Sequence, residues 1–205
     1  DDLVDIEGIH EVQTEEIYNA SLNDQKQLRI VVPDKKTISI PLTIEGDEFS
    51  LTNEGIWIDQ YFAEENNYNI GDSIKIENNG ITINLKVKGI ILSPDYISYT
   101  GPNNEMVPDH EMYGYAYTNT ESLTTNEWVG SKEILLKVDG NVKHIEQYQN
   151  DIEHSLGTSF ASFTSRDNYT YVSGFTQKIF TLEKLSFIFS VVIFLLVLLT
   201  VSTTM

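Results

Sequence analysis

Only a few side chains in this chain of 205 residues have a type and spacing that predict chemistry. The run Asp109–Glu111, with His110 at its centre, is the densest group of metal-ligand types, but adjacent loop residues seldom converge on one ion. The other three histidines stand at no ligand spacing from that run. With 31 acidic residues, a carboxylate pair at a glycosidase spacing is expected by chance. The sequence therefore predicts no metal site, no cofactor and no catalytic residue.

The motifs of common enzymes are missing from the sequence as well. It contains no GxxxxGK[ST] phosphate loop, no GxGxxG, no HExxH and no GxSxG. It contains no cysteine, which excludes a cysteine nucleophile, thiolate zinc sites and disulfide scaffolds. We therefore expect a protein that is not an enzyme and does not itself hydrolyse ATP.

The charge balance excludes another class of function. The net charge is -18, and Arg29 and Arg166 are the only arginines. Binding to nucleic acid needs clustered basic residues that neutralise phosphates. We therefore expect no nucleic-acid partner.

Tyrosines are the remaining group with a recognisable binding chemistry, because they give large contact areas at low entropic cost. Five of them lie between residues 95 and 127, in a segment interrupted by Gly and Pro: Tyr96, Tyr99, Tyr113, Tyr115 and Tyr117. One interpretation is a partner-binding loop for a protein or peptide. The other is that the last three tyrosines alternate along a strand with one buried face.

The elements that must position these residues are mainly strands. Leu28–Val32 and Thr37–Ile40 are β-rich runs that predict a hairpin, and Glu54–Ile58 predicts a further strand. Asp59 is placed to cap a short helix over Gln60–Asn66. Asn79-Gly80, between runs that alternate at period two over residues 74–87, predicts a tight hairpin that continues to Leu92.

The second half of the domain mixes both element types. Glu133–Val138 predicts a strand, and the spacing of apolar residues over Val142–Leu156 predicts a helix that ends at Gly157. Ser159–Thr164 predicts another strand. Residues 1–166 are thus expected to form a strand-rich mixed α+β domain with two short helices.

The C-terminal part has a different composition. Leu185–Val201 contains no charged residue, and with the following residues it reaches the ~20 residues that cross a bilayer. We interpret residues 185–205 as a transmembrane helix in contact with membrane lipid, with a buried core helix as the alternative.

A stalk is predicted between the domain and this apolar segment. Four large residues stand at helical spacing between residues 167 and 184, with Gly174 as the weak point: Tyr171, Phe175, Ile179 and Leu182. No proline separates them from the apolar run, so one helix over residues 168–203 is expected. A short linker before a separate membrane helix is the alternative. Because the chain starts without Met and stops at the end of this helix, we expect it to be part of a longer protein.

Several short motifs between Glu45 and Tyr99 resemble the extracytoplasmic domain of FtsX/MacB-type ABC transporter permeases. They follow one another in the family's order: Glu54-Gly55-Ile56-Trp57-Ile58, Phe62-Ala63-Glu64, Ile70-Gly71-Asp72-Ser73-Ile74 and Val87-Lys88-Gly89-Ile90-Ile91-Leu92-Ser93-Pro94. The segment from Phe187 to Met205 resembles the start of the family's membrane unit. The family's pattern has a first membrane helix before the domain, and we attribute its absence before Asp1 to excision.

The resemblance implies a MacB-like α+β domain without catalytic residues, located outside the cytoplasm and anchored in the cell membrane. It implies a separate cytoplasmic ABC ATPase subunit as partner, and an extracytoplasmic protein or peptide as a second partner. Export, lipoprotein or peptide handling, and control of a cell-wall hydrolase are the implied tasks. Lys178 and Lys184 on the domain side of the apolar helix weakly favour the opposite orientation. The alternative function is a membrane-anchored extracellular enzyme or adhesin.

Overall fold

The computed structural model of the chain describes residues 3–22, 25–102, 107–125, 127–138 and 145–204. These ranges form eight β-strands and three α-helices. The strands are β1 Ile9–Leu22, β2 Lys26–Pro33, β3 Leu42–Gly46, β4 Ile56–Asp59, β5 Ser73–Asn78, β6 Ile81–Leu92, β7 Tyr113–Tyr117 and β8 Gly130–Val138. The helices are α1 Gln60–Asn66, α2 Ile145–Leu156 and α3 Thr170–Thr204, with short 3-10 turns at Gly157–Ser159 and Arg166–Asn168. The predicted class, a strand-rich α+β domain followed by a long apolar helix, is confirmed.

Six of the strands pair in a closed ring. The order is β1, β2, β7, β4, β6, β5 and back to β1, where Ser21 pairs with Glu77. The β2–β7 and β4–β6 pairs are parallel and the other pairs of the ring are antiparallel. The strands β8 and β3 lie outside the ring and pair with β1 and β6 respectively.

A hydrophobic core packs against one face of these strands. It follows from the alternation of the sequence, because every second residue of a strand points to the same face. The members contributed by the strands include Leu28, Ile30 and Val32 of β2, Ile74 and Ile76 of β5, and Ile83, Leu85 and Val87 of β6. Phe62 and Ala63 of α1 complete this core.

The hairpin of β5 and β6 is confirmed in the predicted register. Asn79 and Gly80 both have positive φ, at 51° and 79°, as a type I′ turn requires. Asn78 and Ile81 face each other beside the turn. The local sequence therefore fixes this part of the fold.

The cap of α1 is also confirmed. The Asp59 carboxylate accepts a hydrogen bond from the Phe62 amide at 3.2 Å, and Asn67 ends the helix in the left-handed conformation. Asp72 similarly fixes the turn that follows, because its carboxylate accepts a hydrogen bond from the Asn69 amide at 2.8 Å.

The predicted hairpin of Leu28–Val32 with Thr37–Ile40 is wrong. β2 pairs instead with β1 on one side and with β7 on the other. The amides of Thr37 and Ile38 donate to the side-chain oxygen of Gln13, at 3.0 and 2.9 Å. Because a side chain satisfies these amides, residues 37–40 form no strand.

The predicted strand Ser159–Thr164 is wrong as well. Ser159 ends a 3-10 turn, and residues 160–165 have no regular structure. Phe160 and Phe163 pack on a separate core of α2, β1 and β8, to which Tyr148 and Ile152 belong. For the predicted helix Val142–Leu156, the structure describes only Ile145–Leu156; residues 139–144 lie outside the described residues.

Candidate functional site

A layer of tyrosines covers the other face of the sheet and forms a second core. Here it is called the tyrosine junction, and it consists of Tyr96, Tyr99, Tyr115, Tyr169 and Tyr171. Tyr115 points to this face because Ala116, its neighbour on β7, points into the first core. The junction lies where the chain leaves the sheet domain and enters α3.

Ring contacts connect the first turn of α3 to the loop after β6. The Tyr171 ring centroid lies 5.0 Å from that of Tyr99 and 5.6 Å from that of Tyr96. Tyr96 in turn stacks on Tyr115 at 5.0 Å. The Tyr171 carbonyl also accepts a hydrogen bond from the Ser98 amide at 3.3 Å. The beginning of α3 is therefore held by both side-chain and backbone contacts.

The loop that carries Tyr96 and Tyr99 is itself fixed to β7. The Tyr115 hydroxyl accepts a hydrogen bond from the Ser93 amide at 2.9 Å. The Ser93 hydroxyl lies 2.9 Å from the hydroxyl of Tyr117. Because these groups are buried and hydrogen-bonded, they determine where the loop leaves β6.

A half-buried cation joins three elements at the junction. Arg29 of β2 donates from Nε to the Tyr96 hydroxyl at 2.9 Å, and its guanidinium carbon lies 5.5 Å from the centroid of that ring. Its Nη2 forms an ion pair with Glu133 of β8. Arg29 thus connects β2 and β8 with the loop beneath Tyr171.

Two buried carboxyl groups lie near the junction. Burial raises the pKa of Glu15 to about 7, although a hydrogen bond from Gln13 at 2.8 Å acts in the opposite direction. Burial likewise raises the pKa of Asp59 to about 7, against the hydrogen bond from the Phe62 amide. Both groups therefore titrate near neutral pH.

The tyrosines themselves stay neutral at physiological pH. Burial raises the pKa of Tyr96 and of Tyr99 above the usual value for a phenol, and it raises that of Tyr169 to about 12. The junction consequently offers no nucleophilic phenolate. Its chemistry is contact between rings, supported by hydrogen bonds.

The structure brings the five loop tyrosines, which the sequence grouped as a partner-binding site, together in the second core. Four of them, Tyr96, Tyr99, Tyr115 and Tyr117, are buried, and Tyr113 is half-buried. The last three lie on β7, as the strand interpretation predicted. Burial removes the exposed area on which the binding interpretation depended, and a partner at this loop stays a prediction.

The predicted stalk residues lie along a single helix. Tyr171 is buried in the junction, and Ile179 and Leu182 are exposed. Gly174 and Phe175 lie in the helical turns between them. From Ile179 to Val201, α3 is long and apolar enough to cross a membrane, and none of this stretch is buried in the fold.

The Asp109–Glu111 run does not assemble a site with other ligand types. The His110 ring lies 5.0 Å from that of Tyr61, and burial lowers its pKa. Among the described residues, no group of three His, Cys, Asp or Glu side chains is placed to hold a metal ion.

Sequence reasoning missed Tyr169 of the junction, and also Arg29 and Glu15, which lie beside it. Arg29 is one of two arginines in an acidic chain, and a lone cation inside an apolar strand is a signal of a buried ion pair. Glu15 gave no such signal, because acidic residues are common along the chain.

Fold and site together define an α+β domain that is attached by a tyrosine junction to a long helix with an apolar, unburied C-terminal part. Among solved structures, the chain is similar to the crystal structure of the extracellular domain of the noncanonic ABC-type transporter YknZ from Gram-positive bacteria. The identity is 13%, the TM-score is 0.45, and the match covers 77% of this chain and 81% of that one. No protein-family model matches the chain, and neither does any curated protein.

Proposed function

We propose that the chain is the extracytoplasmic domain, stalk and first following membrane helix of an ABC transporter permease. In this proposal the domain is not an enzyme. It couples ATP hydrolysis by a separate cytoplasmic subunit to work outside the cell membrane, such as export, lipoprotein or peptide handling, or control of a cell-wall hydrolase. The order of the motifs between Glu45 and Tyr99 supports this class of protein.

The continuity of α3 is the single observation that carries the proposal. Its first turn is part of the tyrosine junction, and the same helix includes the apolar stretch Ile179–Val201. At ~1.5 Å per residue, its 35 residues span about 52 Å. A rigid element that is packed into a domain at one end and seated in a bilayer at the other transmits displacement between them.

The contacts of Tyr171 define how such a displacement would reach the domain. A shift of α3 moves Tyr171 against Tyr96 and Tyr99, which belong to the loop after β6. A partner protein or peptide that contacts this loop from outside would be moved in the same step. The loop tyrosines and the stalk therefore form one mechanical unit in this proposal.

A proline in the stalk tests this mechanism. Gly174→Pro removes a helix hydrogen bond and costs about 3 kcal/mol or more in a helix interior, whereas Gly174→Ala improves helix propensity by about 1 kcal/mol. We expect the full permease with Gly174→Pro to lose transport activity, with Gly174→Ala as the matched control that retains it. The domain should remain folded in both variants, which circular dichroism verifies. Full activity with Gly174→Pro would contradict transmission by a rigid stalk.

Orientation is tested separately by labelling. The chain has no cysteine, and the Val107 side chain is 72% exposed, so Val107→Cys provides a single accessible thiol. We expect an impermeant maleimide to label it in intact cells. Labelling only after lysis would place the domain in the cytoplasm and contradict the proposal.

A further inference from the structure

The strand β3 has one partner within the described residues. It pairs with the end of β6, from Leu42 opposite Leu92 to Gly46 opposite Gly89, and with no other strand there. Its second edge therefore presents backbone donors and acceptors outward. An open edge of this kind is a template for pairing with a further strand.

Apolar side chains cluster along this edge. Ile40, Leu42 and Ile44 are exposed by 48%, 63% and 47%. The pairing register shifts between Thr43 and Glu45, which leaves Ile44 as the extra residue of a bulge. Ile70 is also exposed, and its side chain lies beside Gly46 at the other end of β3. Contiguous exposed apolar residues of this kind mark interaction sites.

β3 carries part of the usual protection of an edge strand, because it is short, contains a bulge and follows Pro41, but it has no lysine. Natural edges carry charged side chains, especially lysine, that prevent unwanted pairing. The one charged residue of β3 is Glu45, and residues 40–44 carry no charge. The other strand outside the ring, β8, differs because Ile134, Leu136 and Val138 pack in the core of α2. The exposed apolar edge is thus specific to β3.

The surroundings of the edge are acidic. Between Lys36 and Lys75 the sequence has eight acidic residues and no Lys, Arg or His. Three of them, Glu45, Asp47 and Glu48, lie at or directly after the end of β3 and are exposed. Two lysines lie close to this end: the Lys36 ammonium donates to the Phe49 carbonyl, and the Lys88 side chain lies across Gly55 near β4. The three exposed acidic residues outnumber them.

We propose that β3 is a docking strand for an extended polypeptide with alternating basic and apolar residues. The open edge supplies backbone hydrogen bonds, the patch of Ile40, Leu42, Ile44 and Ile70 accepts the apolar side chains, and the acidic end accepts the basic ones. Addition of a strand to a sheet edge is an established mode of peptide recognition. A second copy of this chain fits less well, because each copy carries a net charge of -18 and the two copies repel one another.

The probe is a capped, fluorescent peptide of about eight alternating lysine and valine residues, the length that pairs along one strand. The full chain is placed in nanodiscs of zwitterionic phosphatidylcholine, and empty nanodiscs give the background. We expect saturable binding by fluorescence anisotropy that weakens several-fold between about 0.05 and about 0.5 M salt.

Two changes separate strand addition from simple charge attraction. N-methylation of alternate peptide amides removes backbone donors while the peptide charge stays the same, and it should weaken binding at least about tenfold. Leu42→Lys with Ile44→Lys should weaken it by a similar factor, while Val107→Lys, the same type of change elsewhere on the surface, should alter it by less than about twofold. Leu42→Ser with Ile44→Ser tests the apolar patch without adding charge and should also weaken binding.

Several results would overturn the proposal. Equal binding of the N-methylated peptide would exclude strand addition. If Val107→Lys weakened peptide binding as much as the β3 variants do, overall charge alone would explain the effect. If both β3 double variants bound the peptide as well as the unmodified chain, the peptide would bind elsewhere. A concentration-dependent dimer that the β3 variants abolish, without any peptide binding, would make a second copy the occupant. Circular dichroism of each variant verifies that the domain is folded.

Discussion

The Tyr171 ring of α3 packs against the Tyr99 ring of the loop after β6, with 5.0 Å between the centroids. This pair belongs to a second core on the face of the sheet opposite to the first. The helix is therefore part of the domain at its first turn, before the exposed, apolar part begins.

Removal of the Tyr171 ring should loosen this attachment. We expect Tyr171→Ala to lower the free energy of unfolding by about 2 kcal/mol, because a buried aromatic ring is lost at the edge of a core. Tyr171→Phe should retain most of the stability that the ring contributes. The measurement is urea unfolding of the full chain in detergent, followed by the fluorescence of Trp57 and Trp128. Leu182→Ala, at an exposed position of the same helix, should leave the free energy of unfolding unchanged. An equal effect of both alanine variants would show that Tyr171 does not attach the helix to the domain.

The ion pair of Arg29 and Glu133 gives a double-mutant prediction. Arg29→Met leaves Glu133 and the Tyr96 hydroxyl without their partner and should cost about 2 kcal/mol, since Glu133 retains some access to water. In the combined Arg29→Met and Glu133→Leu variant, we expect the loss of unfolding free energy to be about 1 kcal/mol smaller than the sum of the losses in the two single variants. Strict additivity in denaturant unfolding would show that the pair contributes no coupling.

Glu15 makes stability depend on pH. Its folded-state pKa is raised from 4.5 to about 7, so the folded state holds a proton that the unfolded state has already released in this interval. Stability should therefore fall as pH rises from about 4.5 to about 7 and level off above. The shift corresponds to about 3 kcal/mol at most. The charged groups near it are Asp95, Glu133 and Arg29.

Glu15→Gln should reduce this pH dependence. The glutamine still accepts the hydrogen bond from Gln13 but cannot ionise, so the unfolding free energy should decline less between pH 5 and pH 7. Asp59 continues to contribute in the same direction, because burial raises its pKa as well. Glu45→Gln removes an exposed charge and serves as the control. If the unfolding free energy of the Glu15→Gln variant depended on pH as strongly as that of the unmodified chain, Glu15 would be ruled out as the titrating group.

Gly89 should not accept a side chain. A Cβ at this position would lie 2.4 Å from Cδ1 of Trp57 and 2.7 Å from the carbonyl oxygen of Asp47. We expect Gly89→Ala to destabilise the domain by about 3 kcal/mol, because the backbone must move to relieve the clash. At Gly80 the space is open and only the positive φ opposes a side chain, so Gly80→Ala should cost about 1 kcal/mol. Comparable melting temperatures for the two variants would contradict this ranking.

Sequence reasoning succeeded where the determinants are local. The turn at Asn79-Gly80 and the cap at Asp59 depend on residues within one or two positions, and both are confirmed. It failed for β2, whose hairpin partner is β1 on its N-terminal side and not the β-rich run that follows it, and whose other partner, β7, lies much later in the chain. β1 itself is hard to recognise because Gln13 and Glu15 occupy buried positions, which breaks the apolar alternation.

The site was harder to predict than the fold. A row of tyrosines reads equally well as an exposed binding loop or as a covered sheet face, and only the packing of residues 95–99 and of α3 on β7 decides which rings are buried. Tyr171 was predicted as part of a helical stripe, but not as the contact that joins the helix to the sheet. Such contacts depend on the tertiary arrangement and have no local signature.

The closed ring of strands also imposes an order on folding. β7 is the last strand of the ring in the chain, and it pairs with the early strand β2, from Tyr113 opposite Gln27 to Tyr117 opposite Val31, although β3 to β6 lie between them in the sequence. Non-local pairing of this kind is slow to form. The surface on which Tyr171 packs includes Tyr115 of β7, one of the last strands of the ring. The helix can therefore dock only after the sheet is complete. A stalk that is packed in its place then indicates that the preceding domain has folded.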